Sequence, residues 1–446
     1  MWKTSFAGGI DMHKVEFKCE VITPMFMAGA DRNSVEPRPS EFKGMMRFWW
    51  RTMKAENNIE KLKKEEAEIF GGTGIGEGRS KIRIRLIYDL NTLKNYTGQN
   101  LKDDYNFHWI FDRQNNTLSG SHAGIGYLLY STVLPGRHRA YIKHGFPFHI
   151  TISSFDKEAY GYALASLWLS IYLGGFGTRA RRGCGCIVVN QVEGETFGIN
   201  FIPKGKDLET WIKENLNAIK SITGETKDFC YAYSNLSFAR MILSKKSFNT
   251  WYEALNEIGV VYKKFRENYR NKIFELGSFG LPVLHRNNKK LIATNDTTRR
   301  ASPLIFKIIR FNEKYYWMVL RLSGEFLPDG VVLKFENKTS KPDYSLVDLF
   351  WKELKNTGKE IILCKPQKLI KIIEQLKEKG AKKIILFGSK ARGDFHKKSD
   401  IDIAIEGNVS DLEIIENLDI VKLEVANNRL REKINREGVI LYDRET

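Results

Sequence analysis

Cysteine is scarce in this chain of 446 residues: Cys19, Cys184, Cys186, Cys230 and Cys364 are the only five. Only Cys184 and Cys186 lie close together, and no second pair or histidine cluster completes a zinc site. Reduced, structural thiols are expected, as in a cytosol. Uncharged apolar runs long enough to span a bilayer are missing as well. The segment Met1 to Met12 lacks the basic-then-apolar order of a secretion signal. A soluble, cytoplasmic chain with no membrane partner is therefore expected. Negative charge is also short: 53 Asp+Glu against 71 Lys+Arg leave a net +18. The shortage is local. Residues 360–446 hold 17 basic and 16 acidic side chains, whereas residues 1–359 hold 54 and 37. Such an excess on the larger part suits a polyanionic partner, nucleic acid above all. A lysine-rich, thermally adapted surface explains many of the charges but not the imbalance.

What is present divides into three stretches. Val15–Thr23 alternates as a strand, and Glu41–Lys54 reads as a helix with Ser40 as its N-cap. Lys81–Tyr88 and Phe146–Ser153 read as strands, Lys157–Leu173 as an apolar helix and Cys186–Val192 as a strand. That order is a ferredoxin-like βαββαβ plan, with a polar and aromatic insertion at 91–137. From Gly194 the pattern restarts with helices at Asp207–Ile219 and Phe248–Tyr269 and a hairpin of Ser302–Arg310 and Tyr315–Leu322. The first strand of this second unit is not placed. Lys338–Asp343 is polar and linker-like, and Ser345–Asn356 reads as a bridging helix. A compact α/β unit follows, with helices at Pro366–Lys379 and Asn428–Arg436 and strands at Lys383–Phe387, Ile401–Ile405, Leu418–Leu423 and Val439–Tyr442. The expected fold class is α+β: two tandem ferredoxin-like (RRM-like) domains at 12–195 and 196–340, a linker with a helix at 341–364, and a small α/β domain at 365–446.

Gly174-Gly-Phe-Gly-Thr-Arg-Ala-Arg-Arg-Gly-Cys-Gly185 is the first chemical signal. Gly175 and Gly177 let the backbone turn sharply and approach a phosphate, and Arg179, Arg181 and Arg182 supply bidentate donors. The bland alternative is a surface turn with solvated charges. In the first helix Lys43, Arg47 and Arg51 share a face, and Phe42, Met45, Met46 and Trp49 form the apolar stripe. Trp50, beside the basic stripe, is read either as a platform for a base or as core.

These segments carry a resemblance. The glycine–arginine loop resembles the C-terminal signature of the RAMP superfamily of CRISPR RNA-binding proteins. Thr23–Ala30, Arg38–Arg51 and Glu66–Gly71 resemble the first-numbered subunit family of the Cmr (type III-B) effector complex. Ala301-Ser-Pro-Leu and Leu322–Pro328 resemble further RAMP segments, and the likeness spans about 14–340, most closely at its start. The resemblance implies a non-slicing subunit that contacts the 3′ part of guide RNA (crRNA) and single-stranded target RNA, among other Cmr subunits, in antiviral defence. A second reading is a RAMP endoribonuclease maturing guide RNA, with His122, His138 or His144 as general acid or base.

The second signal is Leu386-Phe-Gly-Ser-Lys-Ala-Arg-Gly393 followed by Ser399-Asp-Ile-Asp-Ile-Ala404. Asp400 and Asp402, two apart on a strand, point to one face and suit Mg²⁺. Gly388 and Ser389 open a turn that can hold phosphates, and Arg392 can neutralise developing charge. Asp419, on the next strand, is a third carboxylate for activating an acceptor hydroxyl. The pattern resembles the minimal nucleotidyltransferases, with a polymerase-β-like fold over 365–446, Mg²⁺ and NTP. Three uses stay open: an active transferase beside the RNA-binding part, a retained docking module, or a transferase to which the RAMP part delivers RNA.

Overall fold

The computed structural model describes residues 11–29, 34–112, 114–115, 117–133, 136–285, 289–295, 297–407, 409 and 418–445. Residues 1–10 of the N-terminal segment, and Ala30 of the first motif, lie outside the described residues.

The first sheet is built from β1 (His13–Val21), β2 (Arg83–Ile87), β3 (Pro147–Ser154) and β4 (Ile187–Gly194), all antiparallel, in the order β2-β3-β1-β4. Helix α1 (Pro39–Lys54) and then α2 (Ile59–Phe70) follow β1, and α3 (Lys157–Tyr172) joins β3 to β4. Val15, Phe17, Cys19 and Val21 of β1 alternate inward, the period of a half-buried strand. Helix α3 is buried nearly all round because it lies between its own sheet, α1 and α4 (Leu208–Thr223). Ser40 is not the N-cap of α1. The helix begins two residues earlier than Glu41, at Pro39, whose fixed φ suits the first helical position, and Arg38 occupies the cap.

The second sheet holds β5 (Asn235–Ser244), β6 (Leu304–Phe311), β7 (Lys314–Ser323) and β8 (Gly358–Cys364) in the order β6-β7-β5-β8. Its pairs are likewise antiparallel. Helix α5 (Trp251–Asn268) follows β5, and α6 (Ser345–Thr357) precedes β8. The unplaced first strand is β5. All ten of its residues are buried, so its sequence shows no alternation, and Arg240 interrupts its apolar run. Residues 341–364, expected as a linker with a helix, contain that helix as α6 and also β8, which pairs along β5 as the fourth strand of this sheet. Ala239, Met241 and Leu243 of β5 join the core that contains α1, so the two units share one apolar interior.

The third unit comprises α7 (Gln367–Glu378), β9 (Lys383–Phe387), α8 (Gly388–Arg392), β10 (Ile401–Glu406), β11 (Leu418–Lys422), α9 (Asn428–Glu437) and β12 (Val439–Asp443). Its sheet runs β11-β10-β9-β12, with β10 and β11 parallel and the other pairs antiparallel. Phe229 and Phe238 of the second unit enter its core.

Candidate functional site

The glycine–arginine loop is packed into the seam between the first two units. A Cβ on Gly185 (φ +62°) would lie 1.8 Å from the Phe176 carbonyl oxygen, and one on Gly177 (φ +79°) 2.5 Å from that of Phe26. Close packing and left-handed backbone thus demand these glycines. Gly175 is needed for close packing alone, since a Cβ there would lie 2.7 Å from the Cys184 carbonyl oxygen. The arginines project from this frame. Arg179 stacks over Tyr130 at 4.6 Å, and its Nε donates to Ser131 Oγ at 2.7 Å. Arg181 lies 5.0 Å from the Phe48 ring and donates to the Ser302 carbonyl at 2.8 Å. Arg182 is set between Tyr262 and Phe306. The loop backbone itself docks on β6, the Phe306 N–H donating to the Arg181 carbonyl at 3.2 Å.

Beside the loop opens a cleft of about 460 Å³, lined by Met45, Phe48, Trp49, Arg179, Arg181 and Ser302 among others. Among the described residues none of Arg179, Arg181, Arg182 or the neighbouring Arg300 forms an ion pair with a carboxylate. Burial, with Arg300 and Arg182 nearby, brings the Arg181 guanidinium down to about 10. Burial likewise lowers Arg182. An anion entering the cleft would relieve both effects.

The stripe on α1 is differently employed. Glu66 of α2, 4% exposed, accepts from Arg47 Nε at 2.5 Å and from Arg51 at 2.7 Å. Two of the three cations are thus tied to one carboxylate and supply less free charge than their spacing suggests. Lys43 is half-buried, and burial followed by Arg47 lowers its pKa. Trp50 is fully buried against Phe70 and Tyr162, so the base-platform reading is corrected: neither ring face is open. None of His122, His138 and His144 lines the cleft. His122 accepts from the His108 N–H at 3.1 Å, His144 meets the Tyr315 hydroxyl at 3.2 Å, and His138 is exposed.

In the third unit the carboxylates come together through strand register. Asp402 on β10 pairs opposite Asp419 on β11, and Asp400 lies just before β10. Burial raises the Asp402 carboxyl above its ordinary range; Asp419 and Asp400 add to this, and Lys433 and Arg392 oppose it. Gly388 (φ +70°) leaves room for that carboxylate, since a Cβ there would fall 2.0 Å from Asp402 Oδ2. Ser389 is half-buried at the start of α8. Arg392 is engaged by Glu437 at 3.0 Å and Asp394 at 3.3 Å, and Glu437 also accepts from the Gly388 N–H at 3.1 Å. The arginine expected to meet phosphate is thus held by its own domain. Motif reading placed Glu437 in a tail segment resembling the nucleotidyltransferases but gave it no part in the site, because it lies far along the chain from the turn it braces. Among the described residues no group of three or more His, Cys, Asp or Glu side chains is arranged to hold a metal ion.

Residues 18–188 match the RAMP superfamily, and residues 368–441 match a nucleotidyltransferase domain. The CRISPR system Cmr subunit Cmr1-2 of Pyrococcus furiosus is 33% identical over 195 residues, which make up 41% of this chain and 97% of the relative. The chain belongs to the Cmr1 family. Its likeness to Cmr subunit Cmr1-1 of the same organism is 27% over 323 residues, 69% of this chain and 86% of that one. The crystal structure of Cmr1 from Pyrococcus furiosus (apo form) shares the fold, with a TM-score of 0.54 and 20% identity over 79% of this chain and 99% of that chain. The region homologous to Cmr1 is thus joined here to a nucleotidyltransferase domain.

Proposed function

We propose that this Cmr1-family chain is a non-slicing, RNA-binding subunit of a type III-B Cmr effector complex, working inside the cell. Its first two units are read as tandem ferredoxin-like RAMP domains, at 12–195 and from 196 through β8 to 364, with the transferase domain at 365–446. The observation that carries this reading is the cleft whose half-buried arginines have no carboxylate partner among the described residues. Sugar–phosphate chain would occupy it, with Arg179 at its half-exposed edge and the guide or target strand held mainly through its phosphates. Relatives bearing the Cmr subunit name support assembly with sister subunits. Among the described residues no histidine lines the cleft wall, which favours binding over cleavage there. Filter binding of labelled single-stranded RNA at several salt concentrations tests this. Affinity should fall steeply with salt, and Arg179→Ala should reduce the log–log slope by about 0.7 for each phosphate that is no longer neutralised. Affinity indifferent to salt and to Arg179 would overturn it.

We infer further that the third unit transfers a nucleoside monophosphate from NTP. Asp400, Asp402 and Asp419 supply hard oxygen donors from neighbouring strands, and we infer that they would gather on Mg²⁺ only when triphosphate oxygens complete its shell. The ion would supply charge neutralisation to the transferred phosphoryl group. Gly388 and Ser389 would seat the phosphates, while Arg392 shapes the site through Glu437. Transfer of label from α-labelled NTP, abolished in Asp402→Asn, is the expected result.

A further inference from the structure

The phosphate-seating turn of the transferase domain is gripped from outside that domain. Arg240 on β5 and Arg321 on β7 are partners in the sheet register, 4% and 3% exposed. Arg240 donates to the Ala391 carbonyl at 2.6 Å, and Arg321 donates to the Arg392 carbonyl. These carbonyls end α8, the five-residue helix that begins at Gly388. Each guanidinium is braced from behind: Arg240 by Glu360 at 3.0 Å, Arg321 by Asp348 at 2.7 Å. The Trp351 ring lies within 5.4 and 5.7 Å of the two. The Gly324 N–H donates to the Gly393 carbonyl at 3.0 Å, and Glu325 pairs with His396 at 2.6 Å. Two buried, hydrogen-bonded cations are an expensive way to dock a mere passenger domain, and hydrophobic packing would serve that end as well.

We propose that Arg240 and Arg321 are positioning residues for nucleotidyl transfer, holding α8 and the backbone of Arg392 in register with Asp400 and Asp402. The proposal rests on the transferase reading above. It makes the second RAMP unit part of the transferase site, so that the third unit depends on it for its working geometry. Removing either guanidinium frees the C-terminal end of α8, and the turn at Gly388 loses its fixed distance from Asp402.

The full-length chain is tested with Arg240→Met, in which Glu360 keeps its Lys355 and Trp351 partners, and with Arg321→Leu combined with Asp348→Leu, which strands no charge. Arg240→Lys is the conservative control. Three quantities are read: kcat and KM for NTP, RNA affinity, and hydrogen exchange of the Gly393 and Asp394 amides, both of which donate to the Ser389 carbonyl. Expected is a loss of kcat of about ten- to a hundredfold with RNA affinity kept, faster exchange at those two amides, and partial recovery in Arg240→Lys. Unchanged exchange and kcat would overturn the proposal. So would losses of transfer, RNA affinity and melting temperature in parallel, which mark a merely structural role. If Arg321→Leu/Asp348→Leu fails to fold, the Arg240 pair decides alone. If the wild type transfers no label, the transferase reading fails by itself, and exchange at Gly393 and Asp394 still decides whether the clamp holds the turn.

Discussion

At the scale of single residues, much of the chemistry is set by what glycine permits and what one carboxylate must serve. Gly185 and Gly388 have left-handed backbone and no room for a methyl group. Gly185→Ala should cost more than about 2 kcal/mol, read as a lower midpoint in urea, and should weaken RNA binding because the Arg179–Arg182 frame shifts. Gly388→Ala should abolish transfer while leaving RNA affinity intact, since its Cβ would displace the Asp402 carboxylate. Glu437, with its side chain 1% exposed, holds Arg392 and the Gly388 amide together. Glu437→Ala should cost about 2–4 kcal/mol and lower transfer as well, measured by thermal unfolding and label incorporation. The pairing of Arg47 and Arg51 with Glu66 teaches the opposite lesson about spacing. A basic stripe at helical intervals predicts a face, but the partner of that face comes from a different helix.

At the scale of elements, β10 is a strand built at odds with its own stability. Asp402 is partly buried and faces Asp419 across the β10–β11 register. Its carboxyl is held above the ordinary range, so the stability it contributes is full at pH below that range and is lost as pH rises through the raised value. Near neutral pH the metal-free protein carries this cost. Asp402→Asn should therefore raise the melting temperature of the metal-free chain, with the difference shrinking as pH is lowered, while eliminating transfer. Mg²⁺ with NTP should raise the melting temperature of the wild type and not that of the variant. A wild type more stable than Asp402→Asn at every pH would contradict the assignment. The α/β pattern of this unit was readable because α7 and α9 are amphipathic and the apolar strands β9 and β10 are short and each followed closely by a glycine, Gly388 and Gly407. The second sheet was harder. Strand β5 is buried on both faces, which removes the period of two, and β8 follows a helix that looks like a connector when only local sequence is weighed.

At the scale of the molecule, the transferase domain is packed into the second unit rather than suspended from it. Phe229 and Phe238 insert into its core, and Phe395 lies edge-on to Phe229 at 5.5 Å. A chain ending at Cys364 should melt at lower temperature and scatter light at concentrations where the full chain stays clear, because truncation uncovers those rings and strips Arg240 and Arg321 of their carbonyl acceptors. Two independent transitions in the full chain, one of them matching the truncated form, would show that the units do not support one another. The first two units share a core across α1 and β5, and the cleft forms at this seam. Part of its wall, Ser302 and Ile305, comes from residues far along the chain from the glycine–arginine loop.

By itself the sequence determined which atoms could do chemistry. Glycines beside arginines, two aspartates two residues apart and a charge excess concentrated in residues 1–359 are local facts, legible because short-range spacing dictates which side chains share a face. Tertiary structure alone decided which of those groups are free. It buried Trp50, set Arg47 and Arg51 on Glu66, turned Arg392 toward Glu437, and left Arg179, Arg181 and Arg182 without a carboxylate among the described residues. The physical reason is that a charge is satisfied by whatever the fold brings within about 3 Å of it, and those partners lie far away along the chain.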